Sequence, residues 1–206
     1  MIGYYNYTVI LTYIGTLFGF TGITYIWNGN LRIALLCLIG AGICDMFDGK
    51  IASTKKRTKE EKRFGIQIDS LSDVICFGVL PALIIYHCGG KGMLNNFICG
   101  TYMLCALIRL AWFNVDEEMR QDTEDGSREG YRGLPVTTSA LLIPFFIGLG
   151  NCLSFNLEKV YPLLLLLVGA MFLTPFHTKK PHLIGKLAMI IIGAMCFKIV
   201  MIGVKV

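Results

Sequence analysis

Four aspartates carry the chemistry open to this sequence. Asp45 and Asp48 are spaced i, i+3, and Asp69 and Asp73 are spaced i, i+4. On helices each pair shares a face. Both pairs sit at the edges of apolar segments. There an acid costs roughly 2.5–3.5 kcal/mol at mid-membrane on insertion scales, and less near the interface. One aspartate in such a place is ordinarily a solvated helix-end residue. Four at these spacings, with a glycine near each pair, call for compensation by divalent cations. Carboxylate oxygens are hard ligands suited to Mg²⁺ or Mn²⁺. Two pairs facing each other from adjacent helices can hold two such ions, the arrangement that clamps the attacking and leaving oxygens of a phosphoryl displacement. Gly49 follows the first pair and lets a ligand approach the backbone; Ala52 lies one turn on, and Gly65 precedes Asp69 by four residues. With Lys and Arg at its rim, such a pocket suits a metal-bound pyrophosphate.

The elements that position these residues are membrane spans. The chain has 206 residues, 54% hydrophobic and 16% charged, a composition that excludes an ordinary soluble domain. Apolar segments fall at roughly 8–27, 31–51, 66–88, 93–115, 134–153, 160–176 and 183–204. Each approaches the ~20 residues that cross the bilayer as a helix. Pro162, Pro175 and Pro181 punctuate the last two, so the C-terminal region supplies one span or a bent pair. The first stretch lacks a basic n-region and exceeds signal length, so it is expected to stay as a span. Asn28-Gly29-Asn30 makes the first two spans antiparallel neighbours. No linker or repeat divides the chain, and a single transmembrane domain over 1–206 is expected.

Charge orients the spans. The loop after span two carries Lys55, Lys56, Arg57, Lys59, Lys62 and Arg63; the loop after span four carries Arg120, Arg128 and Arg132; Lys179 and Lys180 precede span seven. Arg32, Lys91 and Lys159 fall on the other side, with Lys186, Lys198 and Lys205 of the last segment left out of the comparison. The net charge of +5 therefore reflects loop bias, with the N-terminus, the basic loops and all four aspartates in the cytoplasm. The eight cysteines form no C-x-x-C pair and are read as small apolar packing residues. His87, His177 and His182 are scattered and read as interfacial, as do Trp27, Tyr4, Tyr5 and Tyr86. The acid-rich run from Asp116 to Arg128 is expected to be a solvated loop.

The pattern Asp45-x-x-Asp48-Gly49-x-x-Ala52, followed by Gly65-x-x-x-Asp69-x-x-x-Asp73, resembles the signature of the CDP-alcohol phosphotransferases. Seven of its eight specified positions match. Ser53 stands where that family has Arg, and eleven residues rather than the usual eight separate it from Gly65. Counting back from Gly65 by the family spacing lands on Lys56, so Lys56 or its neighbours Lys55 and Arg57 inherit the missing Arg's role toward the nucleotide. The resemblance covers roughly residues 5 to 175. It implies an all-α integral membrane protein with a six-helix core, here with one or two additional C-terminal segments. It also implies attack of an alcohol on the lipid-bearing phosphate of CDP-diacylglycerol, releasing CMP. By the same resemblance Asp45, Asp48, Asp69 and Asp73 ligate two Mg²⁺ or Mn²⁺ ions, and Asp73 doubles as general base. Asn6, Thr8, Asp48, Gly49, Ala52, Ser53, Gly65 and Asp69 would line the CDP-diacylglycerol site. A homodimer in the cytoplasmic membrane is implied as well.

The acceptor alcohol rests on other residues. The run Asp69-Ser-Leu-Ser-Asp-Val-Ile-Cys-Phe-Gly-Val-Leu-Pro-Ala82 resembles the third helix of the phosphatidylserine synthase subfamily, as do Arg109-Leu-Ala-Trp-Phe-Asn114 and Arg132-Gly-Leu-Pro135. Trp112 replaces a second Arg of that pattern. Arg109 is an intramembrane charge that pairs with a phosphate or with one of the aspartates. Asn114 binds at the same end or simply ends its helix. Arg132 either forks onto a serine carboxylate or anchors at the interface. L-serine is the expected acceptor, with glycerol 3-phosphate or an inositol compound as the alternative. A divalent cation channel or carrier is the non-enzymatic alternative. It would spread acids along a path rather than confine them to two adjacent spans.

Overall fold

The computed structural model describes residues 3–123, 130–153, 157–175, 177–179 and 183–204, without the side chains of 121–123, 130–132, 177–179 and 183–190. Arg128, Lys180, Pro181 and His182 lie outside the described residues. Seven apolar helical segments appear where the sequence places them. A 3₁₀ turn over Tyr7–Val9 leads into α1 (Ile10–Trp27), followed by α2 (Leu31–Ala52). The third segment is α3 (Lys59–Asp73), a π-helical stretch Val74–Val79, and α4 (Leu80–Cys88). Then come α5 (Met93–Thr123), α6 (Ser139–Cys152), α7 (Val160–Leu173) and α8 (Leu183–Gly203). The C-terminal segment is therefore one helix rather than a bent pair.

Two expected loops are helical. The run Lys59–Arg63 belongs to α3, which Thr58 opens with a capping box: its hydroxyl accepts from Glu61 N, and the Glu61 carboxylate accepts from Thr58 N at 3.0 Å. The acidic run after span four continues α5 to Thr123. Glu117 and Arg120 pair there at 2.6 Å, one turn apart. The other departure from an all-helical chain is small. Strands β1 (Gly130–Arg132) and β2 (His177–Lys179) pair antiparallel, with Tyr131 opposite Thr178. This ties the connection after α5 to the one after α7.

Length and composition separate the helices. Tyr7–Trp27, Lys59–Cys88 and Met93–Arg120 are long and apolar enough to cross a membrane. At 22 residues α2 would span about 33 Å, but it carries Arg32, Asp45, Asp48 and Lys50. With 14 residues each, α6 and α7 are shorter than the expected ~20. Large apolar side chains face outward along the bundle, among them Leu17, Phe20, Leu104, Leu163 and Ile202. Lipid, not water, is the medium that suits such a surface.

Tight turns and small residues bring the site-bearing helices together. Gly29 takes φ +81° in the α1–α2 turn, where a side chain would be strained. A Cβ on Gly42 would come within 2.7 Å of the Ala140 Cβ, so α2 and α6 meet nearly backbone to backbone. The core contains Leu38, Phe77, Leu80, Tyr102, Ile143 and Phe172, all fully buried. Tyr102 donates its hydroxyl to Phe77 O at 2.7 Å, satisfying a carbonyl of the π-helical stretch. At the end of α2 away from the aspartates, Arg32 donates Nε to Val204 O at 2.6 Å. The chain's last described residue therefore lies at the end of the bundle opposite the acids.

Candidate active site

The last turns of α2 and the last turns of α3 face each other across a narrow cavity. Asp45, Asp48, Asp69 and Asp73 all line it, together with Thr12, Cys44, Ser72 and Cys76. One ligand oxygen from each of Asp45, Asp48 and Asp69 lies within 4.8 Å of the other two. Asp73 shares the cavity but stands outside that trio. Asp48 and Asp73 are each 8% exposed; Asp45 and Asp69 are half-buried. The Asp48 and Asp69 carboxyls lie within hydrogen-bond reach of each other. The helical spacing sets this arrangement: i, i+3 on α2 and i, i+4 on α3 put each pair on the side of its helix that lines the cavity. The π-helical stretch begins at the residue after Asp73, where the extra residue per turn re-aims the following side chains.

The charge balance of the cavity is one-sided. Among the described residues the ion pairs are Lys55 with Glu61 and Glu117 with Arg120, and neither involves these aspartates. Thr12 Oγ1 donates to Asp48 Oδ2 at 3.4 Å. Two unit charges ~4 Å apart repel by about 4 kcal/mol at an effective dielectric constant of 20. A hard divalent cation removes that repulsion, and a ring of three carboxylates is the donor set it takes. The residues present therefore fit such an ion.

Above the acids the predicted binding residues separate into groups. A Cβ on Gly49 would meet nothing within 4 Å, so the backbone there is open to a ligand. Ala52 is half-buried beside it. Ser53 turns its hydroxyl back onto Lys50 O at 2.7 Å and caps the end of α2. Of the three cations offered in place of the family's Arg, Lys55 is held by Glu61 at 3.1 Å and Lys56 is exposed. Arg57 is the one that reaches Gly65: its Nη1 lies 3.1 Å from where a Cβ would be. Spacing alone had pointed to Lys56. Asn6 accepts from Thr8 N at 3.0 Å and from the Thr8 hydroxyl, capping the turn before α1, and its Nδ2 donates to Glu61 at 3.2 Å. Thr8 is buried.

Two of the three acceptor candidates, Arg109 and Asn114, lie on α5. Arg109 is buried, with its guanidinium 5.4 Å from the Trp112 ring centre and 5.6 Å from that of Phe113. A Cβ on Gly133 would lie 3.6 Å from Arg109 Nε, so the segment holding Arg132 passes this arginine. The Arg132 side chain is outside the described ones. Asn114 is engaged at both ends of its amide: Ser70 Oγ donates to its Oδ1 at 2.5 Å, and its Nδ2 donates to Gln67 Oε1 at 3.2 Å. It joins α5 to α3 one turn from Asp73.

Three residues of the site were not singled out from the sequence. Thr12 reaches Asp48, and Ser72 lines the cavity and accepts from Thr16 Oγ1 at 2.7 Å. Glu61 gathers Lys55, Asn6 and Thr58 N on one carboxylate. A signal existed for Glu61, since Thr58-x-x-Glu61 is a capping-box pattern. Thr12 and Ser72 are hydroxyls in apolar runs and carry no such mark.

The chain is similar in sequence to known proteins. A family model described as CDP-alcohol phosphatidyltransferase matches residues 5–176. A CDP-diacylglycerol–serine O-phosphatidyltransferase of Helicobacter pylori is 29% identical over 76% of the chain, and one of Saccharomyces cerevisiae is 34% identical over 54%. An archaetidylserine synthase of Methanothermobacter thermautotrophicus is 33% identical over 62%. The chain spans 64%, 39% and 52% of these relatives' own lengths, respectively.

Proposed function

The chain belongs to the CDP-alcohol phosphatidyltransferase family, and from that premise we propose that it transfers the phosphatidyl group of CDP-diacylglycerol to L-serine, forming phosphatidylserine and CMP. The observation that carries this reading is the convergence of Asp45, Asp48 and Asp69 on a volume that Asp73 also borders. Relatives named for serine transfer support the choice of acceptor.

In this reading Asp45, Asp48, Asp69 and Asp73 hold two divalent cations, Mg²⁺ or Mn²⁺, which when bound neutralise the pyrophosphate and the departing CMP. The serine hydroxyl oxygen attacks the phosphorus that bears the diacylglycerol. The bond from that phosphorus to the CMP oxygen breaks, and CMP leaves with the electron pair. Asp73, most buried of the acids with Asp48, accepts the hydroxyl proton. The open backbone at Gly49 admits the nucleotide, alongside Ala52 and Gly65. Asn6, Thr8 and Ser53 are assigned to the same ligand. Arg57 is assigned to the nucleotide phosphates, and Arg109 and Arg132 to the serine carboxylate. Asn114 positions α5 against α3 beside them. The whole chain, 1–206, acts as one transmembrane domain of a homodimer in the cytoplasmic membrane, with the aspartates on the cytoplasmic side.

The test is acceptor-dependent release of CMP. Protein purified in detergent is given CDP-diacylglycerol, Mg²⁺ or Mn²⁺, and serine, glycerol 3-phosphate or inositol in separate reactions. CMP appears with serine alone. Release with glycerol 3-phosphate and not serine transfers the reading to a phosphorylated acceptor. No release with any alcohol defeats it.

A further inference from the structure

The start of the chain is strapped to the connection between α2 and α3 by contacts that the transfer step itself does not require. Three of them join residues 4–7 to residues 54–64, and a fourth closes the loop 54–64 on itself. The Tyr4 and Phe64 rings meet edge to face at 5.6 Å. Asn6 Nδ2 donates to Glu61 Oε1 at 3.2 Å. The Tyr7 and Thr54 hydroxyls bond at 3.1 Å. Lys55 Nζ reaches the same Glu61 oxygen at 3.1 Å. Thr54 follows the end of α2, which carries Asp45 and Asp48. Glu61 lies in the first turn of α3, which carries Asp69 and Asp73. The strap therefore fixes the loop that follows α2 against the start of α3, more than two turns before Asp69.

Glu61 is the knot of this strap. Its side chain is 15% exposed, although it sits in a charged run at a helix start. It takes an ammonium, a carboxamide and a backbone N–H together. Helix capping needs only the last of these. The other two connect segments 6 and 55 residues away in sequence. Meanwhile the carboxylates below repel one another and push α2 and α3 apart. Something must oppose that push before a cation arrives, or each binding event has to close the gap first.

We propose that Glu61 is a positioning residue that holds α2 and α3 at metal-binding spacing through Lys55 and Asn6. The proposal rests on the reading of the aspartates as cation ligands. It does not depend on which alcohol is the acceptor. Outer partners that orient metal ligands typically change affinity 10–100-fold when removed, and Glu61 acts at a distance, so the lower end applies.

Mn²⁺ titration followed by electron paramagnetic resonance, on detergent-purified protein without substrate, tests this directly. Glu61→Ala weakens Mn²⁺ affinity ~10-fold. Thr58→Ala removes the helix cap but leaves Lys55 and Asn6 on Glu61, so it lowers the melting temperature and keeps wild-type Mn²⁺ affinity. Lys55→Met, which touches neither cap nor aspartates, weakens affinity about threefold and adds little to Glu61→Ala in the double variant. It also serves if Glu61→Ala does not fold. Wild-type affinity in Glu61→Ala and Lys55→Met overturns the proposal. So does an equal loss in Thr58→Ala, which would make the effect one of capping. Absence of Mn²⁺ binding by the wild type would instead defeat the metal reading itself.

Discussion

The two ends of α2 treat charge in opposite ways. Arg32, in its first turn, gives Nε to the Val204 carbonyl from the end of α8 at 2.6 Å. Asp45 and Asp48, in its last turns, face two more acids and no described cation. Both ends lie at the margins of an apolar helix, where unpartnered charge is costly. At one end the fold supplies the partner from its own chain, and the charge fastens α8 to the bundle. At the other it gathers four like charges and, among the described residues, supplies Asp48 with the Thr12 hydroxyl and the Gly49 backbone N–H but no cation. A protein partner makes a charge structural; leaving a cluster without one makes a place that a ligand must complete. The lesson extends to the start of α3, where Glu61 does have partners and is assigned a mechanical role.

The contrast is broken most easily at Asp73. Asp73→Asn keeps the side-chain volume but cannot take a proton. Turnover should fall 10²–10⁴-fold, the usual worth of a general base, while CDP-diacylglycerol binding persists. Single-turnover kinetics with a separate nucleotide-binding measurement decide it, and retained turnover would remove Asp73 from the role. Asp45→Ala acts earlier, on the cation. Mn²⁺ affinity should drop 10–100-fold, and with it binding of the nucleotide lipid.

Sign, more than size, distinguishes the two ends in stability. In chelator at pH 8, Asp48→Asn relieves repulsion and should raise the melting temperature, by the equivalent of about 1 kcal/mol or 2–4 °C for a chain of this length. With saturating Mn²⁺ the same change should lower it. Arg32→Met loses a hydrogen bond from a charged donor, worth about 1 kcal/mol at a half-exposed position, and should lower the melting temperature equally with and without the metal. A destabilised Asp48→Asn in chelator would mean that the acids are satisfied by the protein after all.

Much of this was legible in the sequence because the energies are large. Acids in apolar runs stand out, and their i, i+3 and i, i+4 spacing holds once the runs are helical. The seven segments followed from hydropathy, although α6 and α7 are shorter than their apolar runs. What escaped was local. The charged run at Lys59–Arg63 hid the start of α3, because hydropathy cannot see a helix that begins in water; its Thr58 cap was the better sign. The continuation of α5 to Thr123 was hidden in the same way. The π-helical stretch after Asp73 depends on packing, with Tyr102 reaching Phe77 O from 25 residues away, and no local pattern encodes it. Choosing Arg57 over Lys56 at Gly65 required knowing which way a six-residue loop folds.

The smallest test concerns the one described side chain outside the acidic set that the fold lends to Asp48. Thr12 donates to its Oδ2 over 3.4 Å, long for a hydroxyl donor. If the acidic end is left incomplete for a cation, this hydroxyl orients the carboxylate and does little to neutralise it. Thr12→Val keeps the shape and removes the donor. Mn²⁺ affinity should then fall only about twofold, equivalent to ~0.5 kcal/mol and the low end for a hydrogen bond, with the melting temperature in chelator nearly unchanged. A tenfold loss would promote Thr12 to a true partner of Asp48, and the two ends of α2 would differ less than their charges imply.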